Sequence, residues 1–205
     1  MIHVSEQSAD EGIDIADFNH DGWNDIAGTF GDTHKILWYE NPKSFKGDWK
    51  THAIGEVPAG KNYLDRVAAG DFNGDKKPDI IVTEENQGGP ATSYIFLQNA
   101  GLNDRNWQKE QLVKQSTTNS MSTADMDNDR DIDIIMGEHR GQKRLTIWQN
   151  NGKGKFRPFL IDKGKESHDG AKLFDLDKDG DLDIISIGYD KYQALHVWWN
   201  DAIRK

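Results

Sequence analysis

The sequence predicts an all-β protein made of four copies of one small antiparallel sheet. The pattern D-x-[DN]-x-D-x-x-x-D occurs four times, and its first residues are Asp17, Asp71, Asp125 and Asp175. Short apolar runs rich in Ile, Val, Trp and Phe accompany each copy and are bounded by Gly, Asn, Asp and Pro, as is typical of strands. No segment shows a sustained helical period. Because self-similarity at a fixed spacing is the signature of repeat proteins, these segments indicate four structural repeats.

The spacing of the repeats indicates what each one builds. The first residues of the acidic segments are 54, 54 and 50 positions apart, and four strands in about 50 residues is the size of one β-propeller blade. The predicted fold is therefore a β-propeller of four-stranded blades that forms a single domain, residues 1–205. The predicted repeats are about 5–55, 56–114, 115–162, and 163–205 together with 1–5.

Strand A of each repeat precedes the acidic segment, and three further strands follow in a fixed order. Strand B is the apolar run after the segment: Ile26-Ala27, Ile80 to Val82, Ile134 to Met136, and Ile184-Ile185. Strand C ends in a shared amide, at Asn41, Asn99, Asn150 and Asn200. Its aromatic residues are predicted to lie in the core of the blade: Trp38, Phe96, Trp148 and Trp198. Strand D is Thr51 to Ile54, Glu110 to Val113, and Pro158 to Ile161.

The fourth repeat has no strand D of its own in the sequence. The chain ends soon after its strand C, whereas Ile2-His3-Val4 at the start resembles the strand D of the first repeat, Thr51 to Ile54. We expect this N-terminal strand to complete the last blade and close the ring, because an unpaired sheet edge is prone to aggregation.

The acidic segments predict metal sites. Calcium takes six to eight oxygen ligands in flexible geometry, from carboxylates, amides and backbone carbonyls. Side chains at positions 1, 3 and 5 of a tight loop converge on one point, position 7 offers a carbonyl and position 9 a further carboxylate. The predicted ligands of about four calcium ions are Asp17, Asn19, Asp21, Trp23 and Asp25; Asp71, Asn73, Asp75, Lys77 and Asp79; Asp125, Asp127, Asp129, Asp131 and Asp133; and Asp175, Asp177, Asp179, Asp181 and Asp183.

Position 6 of such a loop usually needs glycine for its sharp turn. Gly22 and Gly180 meet this requirement, whereas Lys76 and Arg130 do not. The second loop is therefore predicted to be the weakest site and the fourth loop the strongest. Magnesium suits these loops less well, because it demands a stricter octahedron and tends to keep its waters.

Composition limits the classes of function. A formal net charge of -10 argues against nucleic acid as a partner, and four calcium ions would bring this charge to about -2. The chain has no cysteine, so disulfides and thiolate chemistry are excluded. No apolar stretch approaches the length of a membrane span, so no membrane insertion is expected. The first residues have neither the basic region nor the apolar run of a signal peptide.

These features together resemble the FG-GAP/VCBS repeat family, the calcium-loop β-propellers that include the head of the integrin α-subunit. The recurring acidic loop carries the resemblance, which covers nearly the whole chain. The segments WYENP, IWQNNGKGKF, KESHDG and HVWWNDA resemble a branch found in secreted or surface proteins of environmental bacteria. The resemblance implies an extracellular or cell-surface location. Family propellers usually have about seven repeats, so this chain is a four-bladed ring, half of a dimeric ring or a piece of a longer protein.

The acidic loops occupy one face of such a fold, and ligands of propellers commonly bind the opposite face. The polar residues of the loops predicted there are His34, Lys61, Asn62, Tyr63, Asp65, Arg66, Glu84, Glu85, Glu138, His139, Arg140, Glu166, His168, Asp169, Tyr189, Asp190 and Tyr192. The predicted ligand-binding set among them is Tyr63, Arg66, His139, Arg140, His168, Tyr189 and Tyr192. Aromatic rings can stack on sugars, and arginine can hold a carboxylate or sulfate in a bidentate grip. An ordinary polar loop surface is the alternative for each of these residues.

Three functions remain open from the sequence. The first is a calcium-dependent binding module for carbohydrate or for a cell-surface protein, with no catalytic residues. The second is a sugar-active enzyme, a polysaccharide lyase or dehydratase, in which His139 is the base, Arg140 holds a carboxylate and Tyr189 is the acid. The third is a structural repeat domain of a larger protein. The sequence contains no phosphate loop, nucleophile elbow or zinc-protease motif.

Overall fold

The computed structural model describes residues 11–44, 47–58, 60, 62–86, 89–98, 107–190 and 194–202. Within these residues the chain is all-β, as predicted, with no helix and therefore none that could span a membrane. The strands form four separate antiparallel sheets. The predicted closing strand, Ile2-His3-Val4, lies outside the described residues.

Each sheet corresponds to one predicted repeat, and its strands follow one another in chain order. Sheet 1 contains β1 (Ile13–Ala16), β2 (Asp25–Phe30), β3 (Lys35–Glu40) and β4 (Lys50–Glu56). Sheet 2 contains β5 (Tyr63–Gly70), β6 (Asp79–Glu85), β7 (Ala91–Leu97) and β8 (Gln108–Gln115). Sheet 3 contains β9 (Thr118–Ala124), β10 (Asp133–Glu138), β11 (Arg144–Gln149) and β12 (Arg157–Lys163). Sheet 4 contains β13 (Lys172–Phe174), β14 (Asp183–Ile187) and β15 (Leu195–Trp198).

The chain forms two compact units. The first unit holds sheets 1 and 2, and the second holds sheets 3 and 4 together with Asp71–Asp75. Every acidic segment joins the first and second strands of its sheet, so position 9 of each segment begins the second strand.

In the first unit, the two sheets approach each other through their first strands. A Cβ atom on Gly12 would lie only 2.5 Å from the Asp65 carbonyl oxygen, so this contact requires glycine. Thr29 donates a hydrogen bond from its hydroxyl to the same oxygen, at 2.7 Å. The buried core of the unit is Phe18, Ala27, Ile36, Trp38, Ile54, Val57, Leu64, Val67, Ile80, Val82 and Phe96.

The second unit has a core of its own beneath β10 and β14. These two strands contribute Ile135 and Ile184, and their neighbours complete an apolar cluster. Gly137 on β10 passes Ser167 so closely that an added Cβ atom would lie 2.5 Å from the serine Cβ atom. The buried members of the core are Met126, Ile135, Leu145, Ile147, Ala171 and Ile184.

Strand register corrects two positions of the sequence repeat. The first isoleucine of the second strand pairs with Tyr39, Phe96, Trp148 and Trp198 in the four sheets. Tyr39 therefore takes the shared aromatic position in sheet 1. Trp38 is buried one residue earlier, where its ring stacks on His52 with centroids 4.1 Å apart. By the same register Gln98, two positions after Phe96, takes the place of the shared amide in sheet 2, and the predicted Asn99 lies outside the described residues.

Candidate functional site

The four acidic loops share one backbone conformation. Positions 4 and 6 of every loop have a positive φ angle, whatever residue occupies them. The angles are 56° and 88° at His20 and Gly22, 78° and 68° at Gly74 and Lys76, 62° and 77° at Asn128 and Arg130, and 65° and 102° at Lys178 and Gly180. Lys76 and Arg130 thus make the turn that glycine makes in the other loops, at a strain of roughly 1–2 kcal/mol each. A side chain at position 6 therefore does not prevent the positive φ angle there.

Backbone N–H groups orient the carboxylate at position 1. In the third loop Asp125 accepts hydrogen bonds from Asp129 N at 3.1 Å and Arg130 N at 2.9 Å. The same two bonds recur at Asp17 in the first loop and at Asp175 in the fourth. The loop therefore curls around its first carboxylate and points its N–H groups inward.

The carboxylate at position 9 ties the loop to the third strand. Asp133 is fully buried and accepts hydrogen bonds from Met126 N at 3.0 Å and Asn150 N at 2.8 Å. Burial is the main reason why the pKa of Asp133 rises to about 6. Asp25 and Asp183 accept the equivalent pair of bonds in their sheets. A buried carboxylate at this position is stabilised by any cation that the loop binds.

In the second unit, two loops bring carboxylates close enough for one ion. Oxygen atoms of Asp125, Asp127 and Asp133 lie within 4.8 Å of one another, and so do those of Asp175, Asp177 and Asp183. Two oxygens on one calcium ion, at 2.3–2.6 Å each, can be at most about 5 Å apart. The carboxylates at positions 1, 3 and 9 therefore fit the predicted cation.

The first and second loops have asparagine at position 3, so Asn19 and Asn73 offer an amide oxygen in place of a carboxylate. In the first loop Lys43 Nζ lies 2.9 Å from Asp21 Oδ2, and this hydrogen bond lowers the pKa of Asp21. A calcium ion would have to displace this lysine from Asp21. The second loop is divided between the two units: Asp71–Asp75 belongs to the second and Asp79 to the first.

Position 7 was predicted to supply a carbonyl. The N–H groups of Trp23, Asp131 and Asp181 donate to the position 5 carboxylate of their own loops at 2.9, 2.9 and 3.0 Å. The side chain of Asp181 is buried and accepts a hydrogen bond of 2.9 Å from Asn128 Nδ2, which joins the third and fourth loops.

A set of side-chain amides joins neighbouring repeats. Gln98, Asn150 and Asn200, at the end of the third strands, donate to the carbonyl at position 2 of the preceding acidic loop. The bonds run to Phe18 O at 2.9 Å, Phe72 O at 2.9 Å and Met126 O at 3.0 Å, respectively. We call this interaction the amide clamp. The sequence showed the recurring amide without indicating this use, because the partner is a backbone atom of another repeat.

A polar cluster lies at the other end of β10 and β14, away from Asp133 and Asp183. It consists of His139, Glu166, His168, Tyr189 and Asp190, and we call it the His139 cluster. His139 Nε2 is 3.0 Å from Asp190 Oδ2. The ring of His168 packs edge-on against His139 and stacks on Tyr189, with centroids 4.3 and 4.6 Å apart.

Electrostatics hold this cluster together. Glu166 is fully buried, and its Oε1 atom accepts hydrogen bonds from Tyr189 N at 2.8 Å and Asp190 N at 2.9 Å. Burial by itself raises the pKa of Glu166, but these bonds and the nearby charges of His139 and Lys143 lower it below the ordinary value. The hydrogen bond with His139 likewise lowers the pKa of Asp190. Both carboxylates are therefore ionised at neutral pH.

The structure brings together four residues of the predicted ligand-binding set. His139, Arg140, His168 and Tyr189 all lie in or beside the His139 cluster, and Arg140 Nε is 3.9 Å from Asp190 Oδ2. Glu166 and Asp190, which had no assigned role, prove to be its central carboxylates.

Two members of the predicted set lie elsewhere, and a third is not described. Tyr63 and Arg66 belong to the first unit, where Tyr63 is exposed and Arg66 Nε is 3.4 Å from Asp65 Oδ1. Tyr192 lies outside the described residues.

Comparison with known proteins supports the family that the acidic loops predicted. A search among curated proteins found no match. The family model of the FG-GAP-like repeat matches residues 12–82 and 125–186. These two ranges contain all four strands of sheet 1, the second, third and fourth strands of sheet 3, and all four acidic loops. The chain therefore belongs to the FG-GAP-like repeat family.

Proposed function

We propose that this chain is a calcium-stabilised β-propeller that binds saccharide at the cell surface or outside the cell. Four antiparallel sheets, each begun by the same strand–acidic loop–strand unit, support the four-bladed fold. Repeats of this family are typical of extracellular proteins, which supports the location. A single ring of four blades closed by the N-terminal strand is part of this proposal.

The convergence of carboxylates in the third and fourth loops is the observation that carries the calcium proposal. All-oxygen ligand sets of this density favour calcium, and the predicted ligands number 14 carboxylates at positions 1, 3, 5 and 9 of the four loops. Without cations these groups repel one another. Metal binding to the folded state alone then stabilises it by mass action.

Chelation tests the calcium proposal. Removal of calcium with excess chelator should lower the melting temperature, and added calcium should restore it more effectively than magnesium. Asp133→Asn, in the buried position 9, should reduce the bound calcium by one ion per chain. An unchanged melting curve in a sample shown to be metal-free would refute the proposal.

The His139 cluster is the observation that carries the saccharide proposal. Tyr189 is 62% exposed and its ring is held by the stack on His168, so one aromatic face is presented rigidly to solvent. Arg140 and Asp190 beside it are partly exposed and can exchange hydrogen bonds with hydroxyl groups. These residues lie on loops at the ends of packed strands, where binding residues concentrate. The overall acidity favours a neutral or sparsely charged glycan over a strongly anionic polymer.

A glycan screen with calcium-loaded protein tests this proposal. Arg140→Ala combined with Tyr189→Ala should abolish binding and leave calcium-dependent melting intact. Trp199→Ala is the matched control, because Trp199 is an exposed aromatic residue of the same unit that lies outside the His139 cluster. Full binding by the double variant would exclude the cluster as the binding site.

The hydrogen bond between His139 and Asp190 favours a second candidate function. A carboxylate that orients a histidine near a tyrosine is an arrangement used for proton transfer, as in the lyase alternative. The two candidates differ in their products: a lyase would generate unsaturated sugars from acidic polysaccharides, and the rate would fall in His139→Asn. A binding module would leave every glycan of the screen unchanged.

A further inference from the structure

We propose that His139, Glu166 and Asp190 form a binding site for one divalent transition-metal ion such as zinc. The site would be separate from the calcium loops, because it lies at the other end of β10 and β14 from Asp133 and Asp183. It does not depend on saccharide binding, and it concerns a different class of metal.

The three donor atoms have the spacing of a metal site. His139 Nε2 lies 3.0 Å from Asp190 Oδ2 and 3.7 Å from Glu166 Oε1, and one ligand atom from each residue lies within 4.8 Å of the other two. Two ligands of a tetrahedral zinc ion, each at 2.0–2.2 Å, are about 3.3 Å apart. The observed distances bracket this value, so small side-chain movements would place all three donors around one ion.

Two of the three donors are fixed before any ion arrives. His139 is 2% exposed and Glu166 is fully buried. The N–H groups of Tyr189 and Asp190 hold Glu166 Oε1 in position, whereas the buried Glu166 Oε2 accepts no hydrogen bond and has Lys143 Nζ at 3.7 Å. Groups that orient the ligands in this way are characteristic of metal centres. A buried carboxylate oxygen that accepts no hydrogen bond calls for an explanation, and a bound cation supplies one.

The ligand types select the metal. Calcium and magnesium prefer oxygen donors, whereas an imidazole nitrogen suits zinc, copper, iron and nickel. Three protein ligands leave a further coordination position for water or for an oxygen of a bound molecule. The exposed side of Asp190 gives an ion access from solvent.

Neighbouring positive charges compete with the ion. Lys143 Nζ is 3.7 Å from Glu166 Oε2, and Arg140 Nε is 3.9 Å from Asp190 Oδ2. Both side chains are partly exposed and can turn towards solvent when an ion binds. His168 is 2.9 Å from Asp169 and packs on His139 through its ring, so it borders the site without supplying a fourth donor. Removal of a competing cation should therefore strengthen metal binding.

Zinc titration of calcium-saturated protein tests the site, with no saccharide present. Calorimetry should show that wild type binds one zinc ion per chain more than His139→Asn and Asp190→Asn. Asp190 is about half exposed, so Asp190→Asn should fold even if His139→Asn does not. His52→Asn is the matched control, because His52 pairs with a single carboxylate, Glu40, at 2.8 Å. It should bind as much zinc as wild type.

Two further measurements make the test specific. Cobalt bound at the site should give a visible absorption band that is absent in both site variants. Lys143→Gln should tighten zinc binding roughly fivefold or more, because it removes a positive charge near one ligand. Equal zinc uptake by wild type and the two site variants would overturn the proposal, as would unchanged affinity in Lys143→Gln. Saccharide binding with calcium alone is a separate measurement, so either proposal can fail without the other.

Discussion

Replacing Asn150 by alanine tests the amide clamp. Its Nδ2 atom donates to Phe72 O at 2.9 Å and Ile132 O at 3.1 Å, and its Oδ1 atom accepts from Asn151 N at 2.8 Å. The side chain is 6% exposed, so water cannot replace it freely. A hydrogen bond contributes about 0.5–1.5 kcal/mol net. Phe72 O keeps a second bond from Gly154 N, which limits the penalty there. We expect a loss of about 2–4 kcal/mol in the free energy of unfolding.

Urea unfolding at saturating calcium, followed by tryptophan fluorescence, measures this loss. With a slope of about 2 kcal/mol per molar urea, a loss of 3 kcal/mol lowers the midpoint by about 1.5 M. Asn151→Ala is the matched control, because Asn151 is exposed and accepts only two turn bonds, at 3.0 and 3.3 Å. Its replacement should cost less than about 1 kcal/mol.

A third variant separates the donor from the shape of the side chain. Asn150→Asp keeps the size of the residue but points an oxygen at two carbonyl oxygens, so it should destabilise at least as much as alanine. Equal midpoints for Asn150→Ala and Asn151→Ala, or tolerance of Asn150→Asp, would show that the clamp does not hold neighbouring repeats together.

Three further predictions follow from particular backbone and charge features. Arg130→Gly should raise the free energy of unfolding by about 0.5–1 kcal/mol, because Arg130 has a φ angle of 77°. Arg130→Ala should not raise the free energy of unfolding. Equal urea midpoints for the two variants would contradict this prediction. Gly12→Ala should cost about 1–3 kcal/mol, because its Cβ atom would meet the Asp65 carbonyl oxygen at 2.5 Å; a thermal melt like wild type would show that this contact can relax. The hydrogen bond from His52 lowers the pKa of Glu40 below its ordinary value of 4.5. Wild type should therefore be more stable than Glu40→Gln at pH values above 4.5, and this difference in the free energy of unfolding should disappear as the pH falls through the lowered pKa of Glu40. A difference that grows on acidification, in urea titrations at several pH values, would reverse the assigned sign.

The repeat was predictable from the sequence because its signals are local. Turn residues, acidic spacing and short apolar runs all act within about 15 residues, so the strands beside Asp125 and Asp175 follow directly. The register of the paired strands was harder to predict from the sequence. Trp38 and Tyr39 are adjacent aromatic residues, and only the pairing of Ile26 with Tyr39 decides which one takes the shared position.

The site was only partly predictable because its contacts cross between repeats. Sequence reasoning placed His139 and Tyr189 on the same face, but the central position of Glu166 depends on two backbone N–H groups 23 and 24 residues away. The requirement for glycine at loop position 6 was too strict. Lys76 and Arg130 adopt positive φ angles of 68° and 77° without glycine, and at Arg130 the bond from its N–H group to Asp125 offsets the local strain.

The second and third repeats each carry both halves of the amide clamp: the carbonyls of Phe72 and Met126 at loop position 2, and the amides of Gln98 and Asn150 at the end of the third strand. A tandem duplication of one whole repeat would copy an acceptor together with a donor, so the new repeat would find a compatible neighbour on both sides. Loss of one whole repeat removes one donor and one acceptor together, so the remaining repeats still pair. Duplication of part of a repeat adds a donor without an acceptor, or an acceptor without a donor. Genes for such chains can therefore lengthen or shorten in whole steps of about 50 residues, and descendants that differ in repeat number can share one set of contacts.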